Sequence, residues 1–126
     1  MNVLLDTCAL VALARGGLPA RARTALGSAT EASVSVVSAW EIAIKVAAGK
    51  LHLAVPPLQW FRDLARRHDL RELPLDARTA CAAAGLPPLH RDPFDRVVVA
   101  LAADQGLTVL TSDIDIARYP NIATLW

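Results

Sequence analysis

Short apolar runs, each too brief to stand alone, alternate with helix-forming segments along the whole chain, and that alternation decides what it can fold into. Val3 to Leu5 is one such run, closed by Asp6, and Cys8 to Arg15 then reads as a helix stopped by Gly16-Gly17. A second helix is expected from Pro19 to about Gly27, a strand over Ser33 to Val37, and a long helix from Ser38 to Lys50 that ends near Gly49. Pro56-Pro57 opens a further helix with Trp60, Phe61, Leu64 and Ala65 on one face. Leu70 to Leu75 reads as a strand closed by Pro74, and Asp76 to Ala84 as alanine-rich helix. After a loop over Gly85 to Asp92, Pro93 stands in the first turn of a helix that continues to Gln105 and stops at Gly106. Leu107 to Leu110 and Ile122 to Trp126 are the last strand candidates, the second at an edge. Strand and helix in this order predict an α/β fold, a three-layer sandwich with a central, mostly parallel β-sheet flanked by helices.

The 126 residues suit a single domain over 1–126, and no repeat, low-complexity tract or linker divides them. No uncharged stretch approaches the roughly 18 residues of a membrane-spanning helix. The apolar start lacks a basic leader and contains Asp6, so it reads as mature structure. Cys8 and Cys81 form no C-x-x-C pair, which leaves neither a disulfide framework nor a thiolate zinc site; a reducing cytoplasm is the expected setting. Thirteen Lys and Arg against 12 Asp and Glu give a net charge of +1, so a polyanionic partner would have to be held locally. Arginine, the side chain that pairs bidentately with phosphate, dominates the basic residues, although a genomic composition bias explains that as well.

Four acids stand out on this map. Asp6 and Asp113 each follow a buried-looking strand at its carboxyl end, where open parallel sheets hold their ligands. Asp95 lies in the first turn of its helix, which faces the same edge. Glu41 interrupts an otherwise apolar helix start and is one of only three glutamates, so its burial demands a positive partner. Singly, each has an ordinary role: Asp6 and Asp113 as helix or turn caps, Asp95 as complement to a helix dipole, Glu41 as the i,i+4 partner of Lys45. Jointly, four acids from four segments on one side of a sheet point to one shared cation.

These residues carry a resemblance. Asp6-Thr7-Cys8-Ala9-Leu10, the stretch Ser38-Ala39-Trp40-Glu41-Ile42 with Lys45 and Gly49-Lys50-Leu51, the run His90-Arg91-Asp92-Pro93-Phe94-Asp95-Arg96, and Thr111-Ser112-Asp113 together resemble PIN-domain ribonucleases. Their order and spacing are similar to those of the VapC-type toxins of bacterial toxin-antitoxin pairs, over residues 2 to 126. The resemblance implies a PIN-like fold and an acidic site at Asp6, Glu41, Asp95 and Asp113. It further implies a metal-dependent endoribonuclease that leaves 5′-phosphate and 3′-hydroxyl ends, a cognate antitoxin that occludes the acids, and a homodimer. The antitoxin groove would take in Leu10, Leu13, Trp60, Phe61 and Leu64, residues that a core position explains equally well. The family often has an aromatic residue three positions after the last acid; this chain has Ile116, so the geometry of the Asp113 to Tyr119 loop and a role for Asp115 stay open.

Four carboxylates without sulfur or nitrogen ligands suit a hard divalent cation, Mg²⁺ with Mn²⁺ as a substitute. Acids so close repel one another, which predicts raised pKa values or poor order until a cation arrives. Lys45 stands one helical turn beyond Glu41 and is a candidate contact to substrate phosphate, although pairing with Glu41 accounts for it too. Arg91 and Arg96 flank the Asp95 turn as further basic candidates, and Thr7, Thr111 and Ser112 offer hydroxyls beside the acids. His90 lies near this turn and is a candidate contact to substrate, although a loop histidine without a role accounts for it too; neither it nor His52 nor His68 belongs to a metal-ligand spacing. Glycine-rich dinucleotide and triphosphate loops are absent, as is a G-x-S-x-G nucleophile elbow. A dehalogenase-like phosphatase would need a second Asp at position 8, which is Cys. The alternative readings are a receiver-like Mg²⁺-binding module, whose paired acids and late lysine are missing, and a catalytically silent PIN fold kept for protein interaction.

Overall fold

A computed structural model describes all 126 residues. Five strands, β1 (Asn2–Leu5), β2 (Glu31–Ser35), β3 (Leu70–Leu73), β4 (Thr108–Leu110) and β5 (Ala123–Leu125), form one sheet in the order β3-β2-β1-β4-β5. Every neighbouring pair is parallel, with Leu5 opposite both Val34 and Leu110. Seven helices cover it: α1 (Thr7–Ala14), α2 (Ala20–Ser28), α3 (Val36–Ala47), α4 (Pro57–Arg67), α5 (Ala77–Ala84), α6 (Pro93–Gln105) and α7 (Ile114–Ala117). None is long and apolar enough to cross a membrane.

β1 is central, and Val3, Leu4 and Leu5 are wholly buried because both faces of a parallel sheet are covered. Their alternation feeds two cores. Val3 and Leu5 pack with Leu10, Ala22, Ile42 and Phe61 on one side, while Leu4 packs with Val98, Leu101, Ile116 and Tyr119 on the other. The sheet therefore has helices on both faces, as the alternation predicts. The chain builds outward from β1 through β2 and β3, then returns to place β4 on the opposite flank of β1. The order reverses between β1 and β4, and a crevice opens there at the carboxyl ends of the strands.

Several boundaries shift by one to three residues from the sequence expectation, and two of the differences bear on the site. β2 ends at Ser35, two residues before the expected Val37, because the Ser35 hydroxyl accepts from the Val37 main-chain N–H at 3.1 Å and starts α3 there. The cap overrides the β-preference of Val36 and Val37. The Asp113 to Tyr119 segment holds one extra helical turn, α7, capped by Asp113. The helix from Pro93 to Gln105 stands as read, ended by Gly106 in the left-handed region at φ 66°.

Candidate active site

Asp6, the first residue after β1, is 1% exposed and has a full set of partners. Its Oδ1 accepts from the Ala9 main-chain N–H at 2.7 Å, capping α1, and its Oδ2 accepts from the Thr111 hydroxyl just beyond β4. The same hydroxyl accepts from the Asp113 main-chain N–H at 2.9 Å, so Thr111 ties the two strand ends together across the crevice. Asp113 caps α7, with Oδ1 accepting from the Asp115 N–H at 2.8 Å. Thr7 and Ser38 exchange a hydroxyl hydrogen bond at 2.9 Å that joins α1 to α3.

Glu41 enters from the first half of α3 and is 8% exposed. Its Oε2 meets Lys45 Nζ at 3.0 Å, as the i,i+4 spacing predicts. Its Oε1 is buried with no hydrogen-bond partner. Such an oxygen is costly to leave unpaired. Asp95, in the first turn of α6, shares its Oδ2 with His90 Nε2 at 3.1 Å, and the same nitrogen lies 2.8 Å from Asp113 Oδ2. The cap of α6 is Asp92, which accepts from the N–H groups of Phe94 and Asp95.

The acids feel one another. Burial pushes the Asp6 carboxyl above its ordinary value; the Thr111 and Ala9 donors pull it back, and the charges of Asp113 and Glu41 push it further up. Asp95 is pushed up to about 7, chiefly by burial and then by Asp92, with Glu41 and Asp6 adding to the shift against His90. Asp113 behaves oppositely: burial raises it, but the His90 and Asp115 donors outweigh that and hold it below the usual carboxylate value. Burial lowers His90, and its bond to Asp113 with the charge of Asp95 more than restores it, leaving it raised. Lys45 is likewise raised, Glu41 outweighing the effect of burial.

The structure thus brings Asp6, Glu41, Asp95 and Asp113 to one crevice at the carboxyl edge. The orphaned Glu41 Oε1, in a set of carboxylate donors, fits the hard divalent cation that such a set selects. Ligand-capable atoms of His90, Asp113 and Asp115 also lie within 4.8 Å of one another. A cavity of about 550 Å³ adjoins the acids between α1 and α3; Thr7, Cys8, Arg15, Lys45 and Lys50 are among its lining residues. Ser112 and Arg91 are exposed beside it in sequence.

Other expectations need correction. Arg96 does not extend toward a substrate: its guanidinium donates to the carbonyls of Ala83, Ala84, Leu86, Pro87 and His90 at 2.8–3.2 Å, clamping the loop between α5 and α6. Leu10, Phe61 and Leu64 are core residues, buried because α1 and α4 pack directly on the sheet, so only Leu13 and Trp60 of the proposed groove retain surface. The sequence offers His90 as a substrate contact or a loop residue without a role, not as the partner of Asp113, and Tyr119 is passed over. Tyr119 is buried, its hydroxyl donating to the Pro87 carbonyl at 2.7 Å and accepting from the His90 N–H at 3.2 Å. The available signal was positional: a histidine two residues before the Asp cap of the helix that carries Asp95.

Known proteins place the fold. The PIN domain family matches residues 3–122. Ribonuclease VapC22 of Mycobacterium tuberculosis is 31% identical over 108 residues, covering 83% of this chain and 82% of that protein. The structure of VapBC2 from Rickettsia felis, bound to a promoter DNA fragment, superposes at a TM-score of 0.70 with 15% identity, over 100% of this chain and 99% of that one. DNA-bound VapBC from Salmonella typhimurium gives 0.67 with 19% identity, over 99% and 97%. A family match across nearly the entire chain, on a fold whose carboxyl edge gathers the four acids, makes this chain a member of the PIN domain family.

Proposed function

We propose that the chain is one PIN-like nuclease domain over 1–126, a metal-dependent endoribonuclease that acts as the toxin of a toxin-antitoxin pair. The observation that carries this reading is the buried, unpaired Glu41 Oε1 among acids drawn from four separate segments. The likeness to a VapC ribonuclease and to VapBC complexes supports the substrate class and an antitoxin partner.

Asp6, Glu41, Asp95 and Asp113 hold the cation, Mg²⁺ or Mn²⁺, and are the residues to which the reaction is assigned. A cation held there would supply Lewis-acid chemistry, activation of a water and stabilisation of the departing oxygen of the scissile phosphodiester. Asp6 is kept oriented by Ala9 N–H and the Thr111 hydroxyl, so its carboxylate needs no reorganisation. Asp95 enters from the first turn of α6, its carboxyl pushed up to about 7 by burial and by Asp92. Lys45, Arg15 and Lys50 line the adjoining cavity and offset the repulsion between a polyanion and four acids, and the exposed Arg91 and Ser112 are further candidate contacts to the substrate. Thr111 acts as an orienting group for Asp6. Two such chains are expected to associate, and the antitoxin to cover the acids.

The test is cleavage of RNA in Mg²⁺ with and without EDTA, with end mapping for 5′-phosphates. Cleavage that stops with EDTA and in Glu41→Gln, and that is suppressed by the protein encoded alongside, is the expected result. Cleavage indifferent to EDTA overturns the metal reading; complete inertness toward RNA with intact Mn²⁺ binding favours a silent PIN fold.

A further inference from the structure

His90 is held through its main chain and through both ring nitrogens. Its main-chain N–H donates to the Tyr119 hydroxyl at 3.2 Å, and its carbonyl accepts from Arg96 Nη1 at 3.1 Å. Arg96 is in turn fixed by four other carbonyls. The ring Nδ1 accepts from the Asp92 main-chain N–H at 3.0 Å. A ring nitrogen that accepts from a main-chain N–H carries no proton itself, so the proton of the neutral imidazole is on Nε2. Nε2 is the atom that lies 2.8 Å from Asp113 Oδ2 and 3.1 Å from Asp95 Oδ2. That N–H therefore donates to Asp113, in the turn after β4, and stands close beside Asp95, in the first turn of α6.

A nitrogen that holds a proton has no lone pair for a cation. We propose that His90 is a positioning residue, an anchored Nε2–H donor that draws Asp95 and Asp113 together and keeps them set for the cation, and is not itself a ligand, although its ring stands among the ligand-capable atoms of Asp113 and Asp115. This rests on the reading of Asp95 and Asp113 as cation ligands. Two carboxylates brought together repel, and a donor between them offsets that repulsion before any ion arrives. Each carboxylate keeps further lone pairs, so the donor and a cation are compatible on the same group. The anchoring by Asp92, Tyr119 and Arg96 fixes the tautomer and the ring plane, the part played by partners behind a metal ligand, whose loss costs about 10–100-fold in metal affinity.

Two measurements test this. Mn²⁺ titration of the parent, His90→Ala and His90→Gln, with folding checked by circular dichroism, is expected to show about 10–100-fold weaker binding in His90→Ala. Partial recovery is expected in His90→Gln, whose amide N–H reaches toward the place of Nε2. Nitrogen-15 spectra of the imidazole in the parent, taken at mildly alkaline pH with and without Mg²⁺, are expected to show the proton on Nε2 in both states. Equal Mn²⁺ affinity in the parent and a folded His90→Ala overturns the proposal. So does a ring proton on Nδ1, or loss of the Nε2 proton when Mg²⁺ is added, either of which makes His90 a ligand. A parent that binds no Mn²⁺ overturns both this proposal and the metal reading on which it rests.

Discussion

Asp6 and Glu41 are both buried acids of the same crevice, yet their surroundings are opposite. Both oxygens of Asp6 have donors, supplied by the first turn of α1 and by the end of β4. Glu41 has one oxygen on Lys45 and the other on nothing. The strand-edge half of the site is therefore completed by the fold, because a carboxylate after a parallel strand meets the free N–H groups of the next helix. The helix half is completed only by something the chain does not supply. Capping and ligation are commonly treated as rival explanations of such an Asp. Here Asp6 does the first, and the proposed function gives it the second.

The largest expected effect treats the two halves alike. Asp6→Asn, Glu41→Gln, Asp95→Asn and Asp113→Asn should each reduce RNA cleavage by more than the roughly 10–100-fold that loss of a partner behind a metal ligand costs. Retained cleavage in any of them removes that acid from the site. Next, Mn²⁺ at about 100 times its dissociation constant should stabilise the parent by about 2.7 kcal/mol, read as a raised melting temperature. Glu41→Gln should respond far less, and an equal response would erase the contrast drawn above.

Without metal the halves should separate. Asp6→Ala loses the cap of α1 and should cost about 0.5–2 kcal/mol. Glu41→Gln removes a charge crowded by the other acids, with one oxygen unpartnered and the other on the half-exposed Lys45, and should leave the melting temperature unchanged or higher. A subtler separation comes from pH. The folded chain binds the Asp95 proton more tightly than the unfolded chain, with a carboxyl at about 7 against 3.8. The stability this brings is complete below 3.8 and is lost as pH rises through about 7. The metal-free melting temperature should carry that downward contribution across the window, and Asp95→Asn should remove it. The smallest effect belongs to Lys45→Met: if Lys45 meets one phosphate of single-stranded RNA, the logarithmic salt slope of binding should flatten by about 0.7. An unchanged slope confines Lys45 to its pair with Glu41.

Much of this was legible in the sequence because each signal is local. The Pro93 and Gly106 punctuation, the apolar run at Val3 to Leu5 and the isolated Glu41 need no tertiary knowledge, and they placed the sheet, its layers and the four acids. What escaped depends on groups far apart in the chain. Arg96 looks like any basic residue beside an acid, and only the path of the loop over Gly85 to Asp92 shows five carbonyls aimed at it. His90 is meaningful only once Asp113, 23 residues on, is brought to its ring. The capping hydroxyl of Ser35 was readable, yet the β-branched pair after it argues for more strand, and the two signals conflict.

The hydrogen bond between Asp6 and Thr111 spans 105 residues of sequence. β1 and Asp6 are separated from β4 and Thr111 by two strands and six helices. The bonds from Thr7 to Ser38 and from His90 to Asp113 close far shorter loops, of 31 and 23 residues. Of the ties that gather the acids' segments, the one between Asp6 and Thr111 therefore carries the greatest loop-closure entropy and belongs to the late steps of folding.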